Sequence, residues 1–539
     1  MAVRPFIGLR FEPLPLSPLV KRALLRNMSQ PTDAKQQKQQ TAQEVNISIG
    51  KFVAELVRST LGPKGMDKQL VDATGRTVIT NDGATILKET NFTHATAKMM
   101  VEVARTQEEE CYDGTTSAIV KTGELLKQAE DLLAKRVHPT TIVNGYQIAL
   151  AKCQEIIEDL TIPADEYFLD IAMTAMTGKT AEVEREHLAE LCVKATEQAA
   201  PGSINVLSRY GSPVSESYAP DGILVGQMKM HSAMPSSLDN ARIALIEGAL
   251  DLPAMAKGTN LQFNSAEEAE AFRQRQRTLI ANMAEHIANL GTNVILTMKD
   301  IHPTLAEIFA RNGIIACRRC SASNLEAISD ATNALIVAEL EDLESDDLGT
   351  CEAIEEVEST NGQRGFFLLR GTPNKNAVSI VVQAPTQQAS QEIARAMDDA
   401  IGVVHVARKE GKVLAGGGAS QVELAIRLRE FATSVGGLES LAVEAFADAL
   451  EIIPLTLAEN SGQMQPIATL RELRKAHAEG NKTAGLNVYT GEVVDMAAEK
   501  VVEPMKVVLR ALESATSTAS MLLRIDNIII AREPDEFGE

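Results

Sequence analysis

The sequence contains no tryptophan, and aromatic residues make up only 4% of its 539 residues. Its hydrophobic cores must therefore be mainly aliphatic, with 18 methionines available to them. No uninterrupted apolar run approaches the length of about 20 residues that a membrane-spanning helix needs. The sequence therefore predicts a soluble protein with no contact to a membrane.

Cysteine is also scarce, with six residues in the whole chain. So few thiols do not make a disulfide framework, and the composition fits a reducing compartment. The only C-x-x-C pattern runs from Cys317 to Cys320. Without a second such pair or a nearby pair of histidines it does not indicate a zinc site, and a redox pair is hardly better supported. We expect a structural role for the thiols and a cytoplasmic location.

Basic residues are outnumbered, with 52 Lys and Arg against 73 Asp and Glu and a formal net charge of −21. This balance argues against a general affinity for nucleic acids or anionic membranes. The hydrophobic content of 45% and the charged content of 23% are ordinary for a globular protein. A chain of this length predicts two or three domains.

Residues 1–27 are basic and interrupted by prolines, and from Met28 the composition changes to a Gln-rich polar arm. The segment lacks both the compact apolar centre of a secretory signal and the amphipathic pattern of an organellar leader. We therefore expect either that Met28 is the functional start or that residues 1–40 form a disordered or non-native extension.

The most informative stretch runs from Asp113 to Ser117 and reads DGTTS. Apolar pairs recur every seven residues after it, from Ala118 to Leu133, so the stretch is predicted to open a helix. A helix N-terminus offers free N–H groups and a positive dipole end to a phosphate, and Asp113 is placed to hold the accompanying cation. The stretch also fits an Asp N-cap followed by small polar residues. On its own it leaves both interpretations open.

Two other turns have a similar character. The helical pattern of residues 45–61 ends in Gly-Pro-Lys-Gly at residues 62–65, which is either a phosphate loop or a tight turn. Two short predicted strands, residues 69–72 and 77–80, then lead to Asp82, a second carboxylate at a predicted helix start. Together with DGTTS, these turns make phosphate binding as well supported as ordinary helix caps and turns.

The middle of the chain, residues 222–371, alternates strand-like runs with helices, which is typical of a βα architecture. The predicted strands are residues 223–225, 243–246, 293–297, 313–316 and 334–337. Ser265 and Glu268 form a capping-box pattern that opens a long, half-polar helix reaching Leu290. Such a helix is either solvent-facing or a partner-binding arm. Because the flanking thirds are helical and rich in glycine, the middle looks inserted between them.

The C-terminal third contributes further candidate features. Asp398 and Asp399 lie in an amphipathic helical pattern, and a glycine run at residues 416–418 offers a backbone that can approach a ligand closely. Pro454 predicts a kink or stop within a helix over residues 441–457. The β-rich terminal run, residues 525–531, needs a partner strand.

Taken together, seven ordered motifs closely resemble the group II chaperonins, which are the archaeal thermosome and its eukaryotic cytosolic counterpart. The motifs are TLGPKGMDKQLVD (60–72), ITNDGATIL (79–87), DGTTSAIV (113–120), TGK (177–179), MDDAI (397–401), GGGA (416–419) and GLNVYTGEVVDM (485–496). The similarity runs from about Val45 to Ala531. Each motif alone is weak, but their order is specific, and the departures described below indicate a divergent archaeal thermosome subunit.

The resemblance implies a multidomain α+β and α/β chaperonin fold in which the middle of the chain is nested between the ends. A helical equatorial ATP-binding domain would comprise residues 41–163 and 412–535. A small intermediate hinge domain would comprise residues 164–222 and 376–411. An α/β apical substrate-binding domain, residues 223–375, would carry a helical protrusion at about 255–290 as a built-in lid.

The resemblance also implies ATP and Mg²⁺ as cofactors and a set of site residues. Asp82 and Asp399 match the acidic positions that orient and activate the attacking water, and Asp113 matches the Mg²⁺ ligand. Lys179 matches a lysine that senses the γ-phosphate. The implied nucleotide-binding residues are Thr60, Leu61, Gly62, Pro63, Asp113, Gly114, Thr115, Thr116, Ser117, Lys179, Gly417, Asn487, Val488, Tyr489 and Glu503.

The sequence departs from the family pattern in several places. The residue before Asp113 is usually glycine and is Tyr112 here, and Gln421 stands where glutamate is usual. An expected Arg- and Gly-bearing strand end reads Gln-Ala-Pro at residues 383–385, and a Gln run replaces the basic N-terminal motif near residues 35–43. These changes leave the implied catalytic carboxylates in place.

The leading hypothesis is therefore an ATP-hydrolysing chaperone subunit of a double ring that encloses unfolded polypeptides, with lid closure driven by ATP hydrolysis. Its partners would be identical or paralogous subunits and unfolded clients, without a separate lid co-chaperonin or nucleic acid. The alternative is a nucleotide-binding, weakly hydrolysing structural subunit of a mixed ring. A monomeric phosphotransfer enzyme is disfavoured because no further substrate-binding motif is present.

Overall fold

The computed structural model describes residues 42–71, 75, 77–252, 265–357, 366–462 and 465–528. The predicted extension of residues 1–40, the start of the predicted lid and residues 529–531 of the terminal run therefore lie outside the described residues. Residues 525–528 of that run are irregular and are not a strand. No helix in the described ranges has the length and apolarity to cross a membrane.

The N-terminal third is mainly helical, and its turns follow the predicted signals. The two predicted short strands pair antiparallel, with Lys68 opposite Thr80. Asp82 caps the helix that follows them, and the DGTTS stretch opens a long helix as predicted, with Gly114 at the cap position. The elements are α1 (Ala42–Arg58), β1 (Lys68–Val71), β2 (Thr77–Thr80), α2 (Gly83–Glu89), α3 (Ala95–Cys111), α4 (Thr115–Ala134), α5 (Pro139–Leu160) and β3 (Ile162–Pro163).

A smaller group of elements follows, made of two helices and one strand of a two-stranded parallel sheet. Its elements are α6 (Phe168–Met176), α7 (Arg185–Gln198) and β4 (Ile204–Tyr210). A 3₁₀ turn, Thr180–Glu184, connects the two helices just after Lys179.

The middle of the chain has the predicted alternation of strands and helices. Its elements are β5 (Ile223–Val225), β6 (Ser237–Ile246), α8 (Ala266–Asn289), β7 (Val294–Thr297), α9 (Pro303–Arg311), β8 (Ile315–Cys317), α10 (Ala322–Thr332), β9 (Ile336–Val337), β10 (Gly349–Val357) and β11 (Phe366–Arg370). They form one mixed sheet in the order β5-β11-β10-β6-β7-β8, with β9 beside β6. The β6–β7–β8 half is parallel, and the β5–β11–β10–β6 half is antiparallel.

Helix α8 starts where the sequence predicts, because the Ser265 side chain accepts a hydrogen bond from the Glu268 N–H. Only Ile280, Ala284 and Ile287 of this helix are buried. Most of its length is therefore polar and solvent-facing.

The chain then returns to helices. Its last elements are β12 (Val378–Ala384), α11 (Gln387–Glu410), β13 (Lys412–Ala415), α12 (Ala419–Ala432), α13 (Glu439–Leu450), α14 (Ile452–Ser461), α15 (Pro466–Ala478), β14 (Ala484–Asn487), β15 (Glu492–Asp495), β16 (Val502–Pro504) and α16 (Met505–Leu523). The predicted interruption by Pro454 is confirmed, since α13 and α14 are separated at Glu451. Proline has no N–H to donate to the carbonyl four residues before it, and its side chain clashes with that carbonyl, so the helix is interrupted there.

The N- and C-terminal thirds share one hydrophobic core, which draws on α4, α5, α12, α13 and α16. It contains few aromatic residues, and Tyr146 and Phe446 meet there edge to face with ring centroids 5.6 Å apart. The Tyr146 hydroxyl donates a hydrogen bond of 2.8 Å to the Leu125 carbonyl, so this buried polar group is satisfied. Strands β3, β13 and β16 form a small sheet that again joins both ends of the chain.

A second core connects these thirds to the middle. It packs α6 and α7 against α11 and against the parallel pair β4–β12. Helix α11 therefore belongs to this core while it also contacts α3 and α16. The middle sheet has its own cores on its two faces.

Candidate functional site

A cavity of about 550 Å³ lies where both ends of the chain meet α6 and α11. Its volume is in the range of small-molecule pockets. Every site residue that the family resemblance implies lies on its wall. These residues are Thr60, Leu61, Gly62, Pro63, Asp82, Asp113, Gly114, Thr115, Thr116, Ser117, Lys179, Asp399, Gly417, Asn487, Val488, Tyr489 and Glu503.

The loop before α4 provides the most polar part of the wall. Gly114 has φ of 78°, a left-handed conformation that glycine adopts without strain, and its N–H donates a 2.7 Å hydrogen bond to Asp113 Oδ1. The Gln107 side chain connects the loop to α16, because its amide group donates hydrogen bonds to the Asp113 and Val507 carbonyls. The N–H groups of the first turn of α4 and the hydroxyls of residues 115–117 therefore face the cavity beside a carboxylate.

Asp82 is held at the start of α2. Its Oδ2 accepts a 2.8 Å hydrogen bond from the Thr85 N–H, and its Oδ1 accepts a longer one from the Ala84 N–H. The preceding Asn81 donates a 2.7 Å bond to the Gly178 carbonyl. This bond ties the start of α2 to the loop that carries Lys179.

Lys179 and Asp399 form an ion pair of 2.6 Å across the cavity, although they are 220 residues apart in sequence. Burial lowers the Lys179 pKa, but the neighbouring carboxylates, Asp399 first, outweigh this effect and raise it above its usual value. Lys179 therefore stays cationic at neutral pH. Burial also raises the pKa of Asp113 and of Asp399, and Lys179 opposes both shifts.

The β14–β15 hairpin forms another part of the cavity wall. The Asn487 side chain accepts hydrogen bonds from the Tyr489 and Thr490 N–H groups and so fixes the turn. The Tyr489 hydroxyl donates a 2.8 Å bond to Glu182, whose other oxygen accepts a bond from the Gly178 N–H. Glu182 therefore links the hairpin to the Lys179 loop.

Glu503 lies deeper, near Lys121 and Gln421. Burial raises the pKa of Glu503 to about 7, and the nearby Lys121 and a hydrogen bond from Gln421 act against this rise. Burial likewise lowers the pKa of Lys121, which is 2% exposed, while Glu503 opposes the shift. The two ionisable groups thus share an apolar environment at the base of the cavity.

Several wall residues were not identified from the sequence. Among the polar ones are Glu108, Asp170, Thr174 and Arg185. Glu108 lies one helical turn before Tyr112, so its spacing from the DGTTS loop was a usable signal. Burial, and after it the charges of Asp82 and Asp399, raise the pKa of Glu108. The other three lie on α6 or at the start of α7, where TGK is the only motif nearby.

The residues present fit a nucleotide with Mg²⁺. Magnesium is usually held by one or two carboxylates together with substrate phosphates and waters. Asp113 and the hydroxyls beside it are hard oxygen donors at a helix N-terminus, where phosphates bind. Within the described ranges no group of three His, Cys, Asp or Glu side chains forms a metal site by itself.

The six cysteines are buried and free, and Cys317 and Cys320 are no exception. Both lie in or next to β8 in the core of the middle sheet. Burial raises the pKa of Cys320 to about 12 and that of Cys317 well above its usual value. These thiols are therefore packing groups.

Comparison with known proteins gives a consistent result. The sequence profile of the TCP-1/cpn60 chaperonin family matches residues 53–533. The chain is 45% identical to the thermosome subunit of Methanopyrus kandleri over 91% of this chain and 92% of that protein. It is 43% identical to the thermosome subunit beta of Archaeoglobus fulgidus, with the same coverage.

Among solved structures, the open-state monomer of a group II chaperonin from Methanococcoides burtonii superposes with a TM-score of 0.58. It is 37% identical in sequence, and the match covers 77% of this chain and 100% of that one. The fold, the site geometry and these relationships agree. The chain therefore belongs to the TCP-1/cpn60 chaperonin family and has the fold of its group II members.

Proposed function

We propose that this protein is an ATP-dependent chaperone subunit that works in a double ring. The observation that carries the proposal is the arrangement around one cavity of a helix N-terminus with Asp113, the cation Lys179, and two further carboxylates, Asp82 and Asp399. Hydrolysis of a phosphoanhydride needs neutralised charge and an aligned water rather than covalent catalysis. This set of groups can supply both.

The phosphates would lie against the first turn of α4 and the turn of residues 60–63. Asp113 would hold Mg²⁺, which when bound neutralises charge on the phosphate oxygens. The free N–H groups of α4 would donate to the same oxygens. Gly417, Asn487, Val488, Tyr489 and Glu503, which also line the cavity, would contact the adenosine.

Asp82 and Asp399 would orient the attacking water and accept its proton. Asp82 is fixed by its hydrogen bonds at the start of α2, so it provides a rigid acceptor. Asp399 comes from α11, and its salt bridge to Lys179 keeps it at the cavity wall. Lys179 would exchange this partner for the γ-phosphate when ATP binds, so that α11 responds to the nucleotide.

We further infer a three-domain organisation, with residues 41–163 and 412–535 as the equatorial domain. Residues 164–222 and 376–411 would form the hinge, and residues 223–375 the client-binding domain. The exposed helix α8 would belong to a built-in lid, which supports a machine without a separate lid protein. Since α11 belongs to the hinge core and also carries Asp399, the state of the nucleotide would set the position of the lid.

The test combines native mass spectrometry with an ATP-turnover assay on the same sample. We expect a large ring that hydrolyses ATP in the presence of Mg²⁺, and Asp399→Ala should lower kcat by roughly 100-fold or more with the ring intact. The matched control is Asp398→Ala, since Asp398 is exposed, lies outside the cavity wall and shares the same helix. Turnover that survives Asp399→Ala would contradict the assigned role.

Tyr112 supports a second candidate, a structural subunit that binds nucleotide but hydrolyses it weakly. This residue brings a side chain into the wall of the cavity next to Asp113. A ring that binds ATP without turning it over would favour this second function. A monomer that does not assemble alone would indicate a subunit of a mixed ring.

A further inference from the structure

Tyr112 has an unusual backbone conformation directly beside the phosphate loop. It ends α3 with φ of 58° and ψ of 3°. This is the left-handed region, which residues other than glycine, asparagine and aspartate rarely adopt. Its N–H still donates a 3.0 Å hydrogen bond to the Glu108 carbonyl, so the helix end is properly closed. Glycine would take this conformation without strain. A tyrosine here therefore needs a compensating contact.

The compensating contact is with Gly402, a buried glycine in the interior of α11. A Cβ added at Gly402 would lie 2.1 Å from Cγ and 2.3 Å and 2.5 Å from the two Cδ atoms of Tyr112. The aromatic ring thus lies directly on the helix backbone, and no larger residue fits at Gly402. Glycine is itself unfavourable in a helix interior, because it loses more conformational freedom than alanine.

Tyr112 and Gly402 are therefore two locally unfavourable residues, 290 positions apart, whose shapes match. Neither choice is explained by its own element. Each residue is explained by the other, because the Tyr112 side chain occupies the space that a Cβ at position 402 would fill. A stray contact would not need both local preferences to be broken together.

The contact joins the two halves of the proposed catalytic site. Tyr112 directly precedes Asp113, and Gly402 follows Asp399 by three positions, which places both on one face of α11. The Lys179–Asp399 ion pair connects the same helix to a different loop. The ring on Gly402 is thus a second, apolar restraint that joins the Asp113 loop to the helix of Asp399.

We propose that Tyr112 and Gly402 form a steric gauge that sets the distance between the Asp113 loop and Asp399. Tyr112 is a positioning residue in this proposal, which rests on the proposed ATPase function. A displacement of about 1 Å in a catalytic group can lower a rate roughly 100-fold. The fit of the Tyr112 side chain against Gly402 therefore controls turnover. Nucleotide affinity depends on other parts of the wall and changes less.

The test is a double-mutant cycle on ATP turnover in the full-length ring. Tyr112→Ala removes the ring but keeps an L-residue with the same left-handed backbone, and it should lower kcat by about tenfold with KM changed less than about threefold. Gly402→Ala should lower kcat similarly, because its methyl group collides with the ring. In the double variant the methyl group has room, so Gly402→Ala should then change kcat less than about twofold.

Further variants separate positioning from general destabilisation. Tyr112→Phe keeps the ring and should restore kcat to within about twofold of the wild type. Tyr210→Ala and Gly202→Ala are matched controls, because Tyr210 is 42% exposed and a Cβ at Gly202 meets nothing within 4 Å. The mass of the assembled oligomer and the unfolding temperature show whether each variant is folded. If turnover is too low to measure, the same double-mutant cycle can be evaluated from the unfolding temperatures.

The outcomes distinguish this inference from the proposed function. A wild-type ring without turnover would contradict the ATPase proposal, whatever the variants do. A wild-type ring with turnover, and with additive effects of Tyr112→Ala and Gly402→Ala on both kcat and unfolding temperature, would overturn the gauge. Equal losses in kcat for Tyr112→Ala and Tyr112→Phe would overturn it as well.

Discussion

Two glutamates show how the surroundings of a residue decide its charge. Burial raises the pKa of Glu503 to about 7, and the nearby Lys121 opposes this rise only in part. Burial acts in the same direction on Glu451, which is 3% exposed, but hydrogen bonds from Arg474 and Arg429 outweigh it and lower its pKa. The same side chain thus destabilises the fold at one site when ionised and stabilises it at the other.

For Glu503, the raised pKa fixes the sign of a pH dependence. Between the unfolded value of about 4.5 and the folded value of about 7, the folded state holds the proton more tightly, so stability falls as pH rises. Glu503→Gln removes this effect. We expect the variant without nucleotide to gain roughly 2 °C in unfolding temperature over the wild type at pH 8, and to lose this advantage at pH 4.5. Calorimetry at the two pH values checks it.

The outcome that would contradict the Glu503 prediction is a difference that stays constant, or that grows as the pH falls. Glu190→Gln is the matched control, since Glu190 is 57% exposed and its Lys194 partner is 4.0 Å away. An exposed pair of this kind contributes little, so the control should follow the wild type at both pH values.

For Glu451, the lowered pKa gives the opposite sign. Its stabilising effect is present above the unfolded pKa and is lost as the pH falls through the lower folded pKa. Glu451→Gln keeps the shape but turns an amide group toward arginines that now donate to Oε1 at 2.7 Å and 3.0 Å. The loss should be about 2 kcal/mol at pH 7 and should shrink under acidic conditions.

The measurement for Glu451 is the unfolding temperature at pH 7 and at pH 4, beside the same Glu190→Gln control. Arg429 and Arg474 are partly exposed, so water compensates in part when the carboxylate is lost. An unchanged unfolding temperature at pH 7 would mean that the packing of α12 and α15 around Glu451 does not depend on the charge of this residue.

At the scale of elements, two glycines set how closely α1 and α4 pack. A Cβ at Gly123 would lie 2.2 Å from the Ala54 Cβ, and a Cβ at Gly50 would lie 2.4 Å from a Leu126 methyl group. The Ala54 Cβ cannot rotate away, unlike the Leu126 methyl group. The helices therefore cross at a distance that only glycine at position 123 allows, and α4 opens with the DGTTS loop at its other end.

Gly123→Ala should accordingly destabilise the protein although alanine favours helices. Overpacking costs about 1–3 kcal/mol, whereas the helix preference returns about 1 kcal/mol. We expect the unfolding temperature to fall by roughly 3 °C. Gly202→Ala, with open space around its Cβ, is the comparison variant and should show no decrease. A stabilised Gly123→Ala protein would mean that α1 can move away freely.

Elements defined by local signals could be predicted from the sequence, whereas their contacts could not. Asp82 caps α2, Ser265 caps α8 and Gly114 precedes α4 because capping depends on a few neighbouring residues. The strands of the middle sheet were predicted to within about two residues, except that β6 begins at Ser237 rather than at residue 243 and that β10 and β11 were not predicted. Their order in the sheet depends on pairing between distant segments, which periodicity does not encode.

The candidate site shows the same division. Local chemistry identified Asp113 and its hydroxyls as a possible phosphate site, but only the resemblance brought Lys179 and Asp399 together with it. The Glu182 bridge to Tyr489 and the fit of Tyr112 on Gly402 were not predicted. Both depend on segments that lie about 300 residues apart in the chain, 307 for the first pair, and neither has a signature within one element.

At the scale of the whole molecule, the cavity wall is built from both ends of the chain and from the layer between them and the middle. Binding of a nucleotide should therefore order distant segments together. We expect Mg²⁺ with a non-hydrolysable ATP analogue to slow hydrogen exchange by about tenfold or more in residues 112–117, 177–184 and 484–489. Mass spectrometry of exchanged peptides checks this.

The internal reference for that experiment is β7, a fully buried strand of the middle sheet that lies outside the cavity. Its exchange should not change when the analogue binds. Uniform protection across the chain, including β7, would indicate general stabilisation of the ring. Protection of residues 112–117 alone would mean that the Lys179 loop does not take part.

The chain passes twice through each junction between its helical ends and its middle, with the two passes side by side. Ile162 and Pro163 pair antiparallel with Val413 and Lys412 at the first junction, and Tyr218 forms an antiparallel bridge with Val381 near the second. A single connecting strand would allow bending, twisting and swivelling. Two chain segments joined by backbone hydrogen bonds resist twisting, so the remaining motion is bending about one axis. A small shift at the cavity would then reach the far end of the molecule as a swing in a fixed direction, enlarged in proportion to the length of the arm.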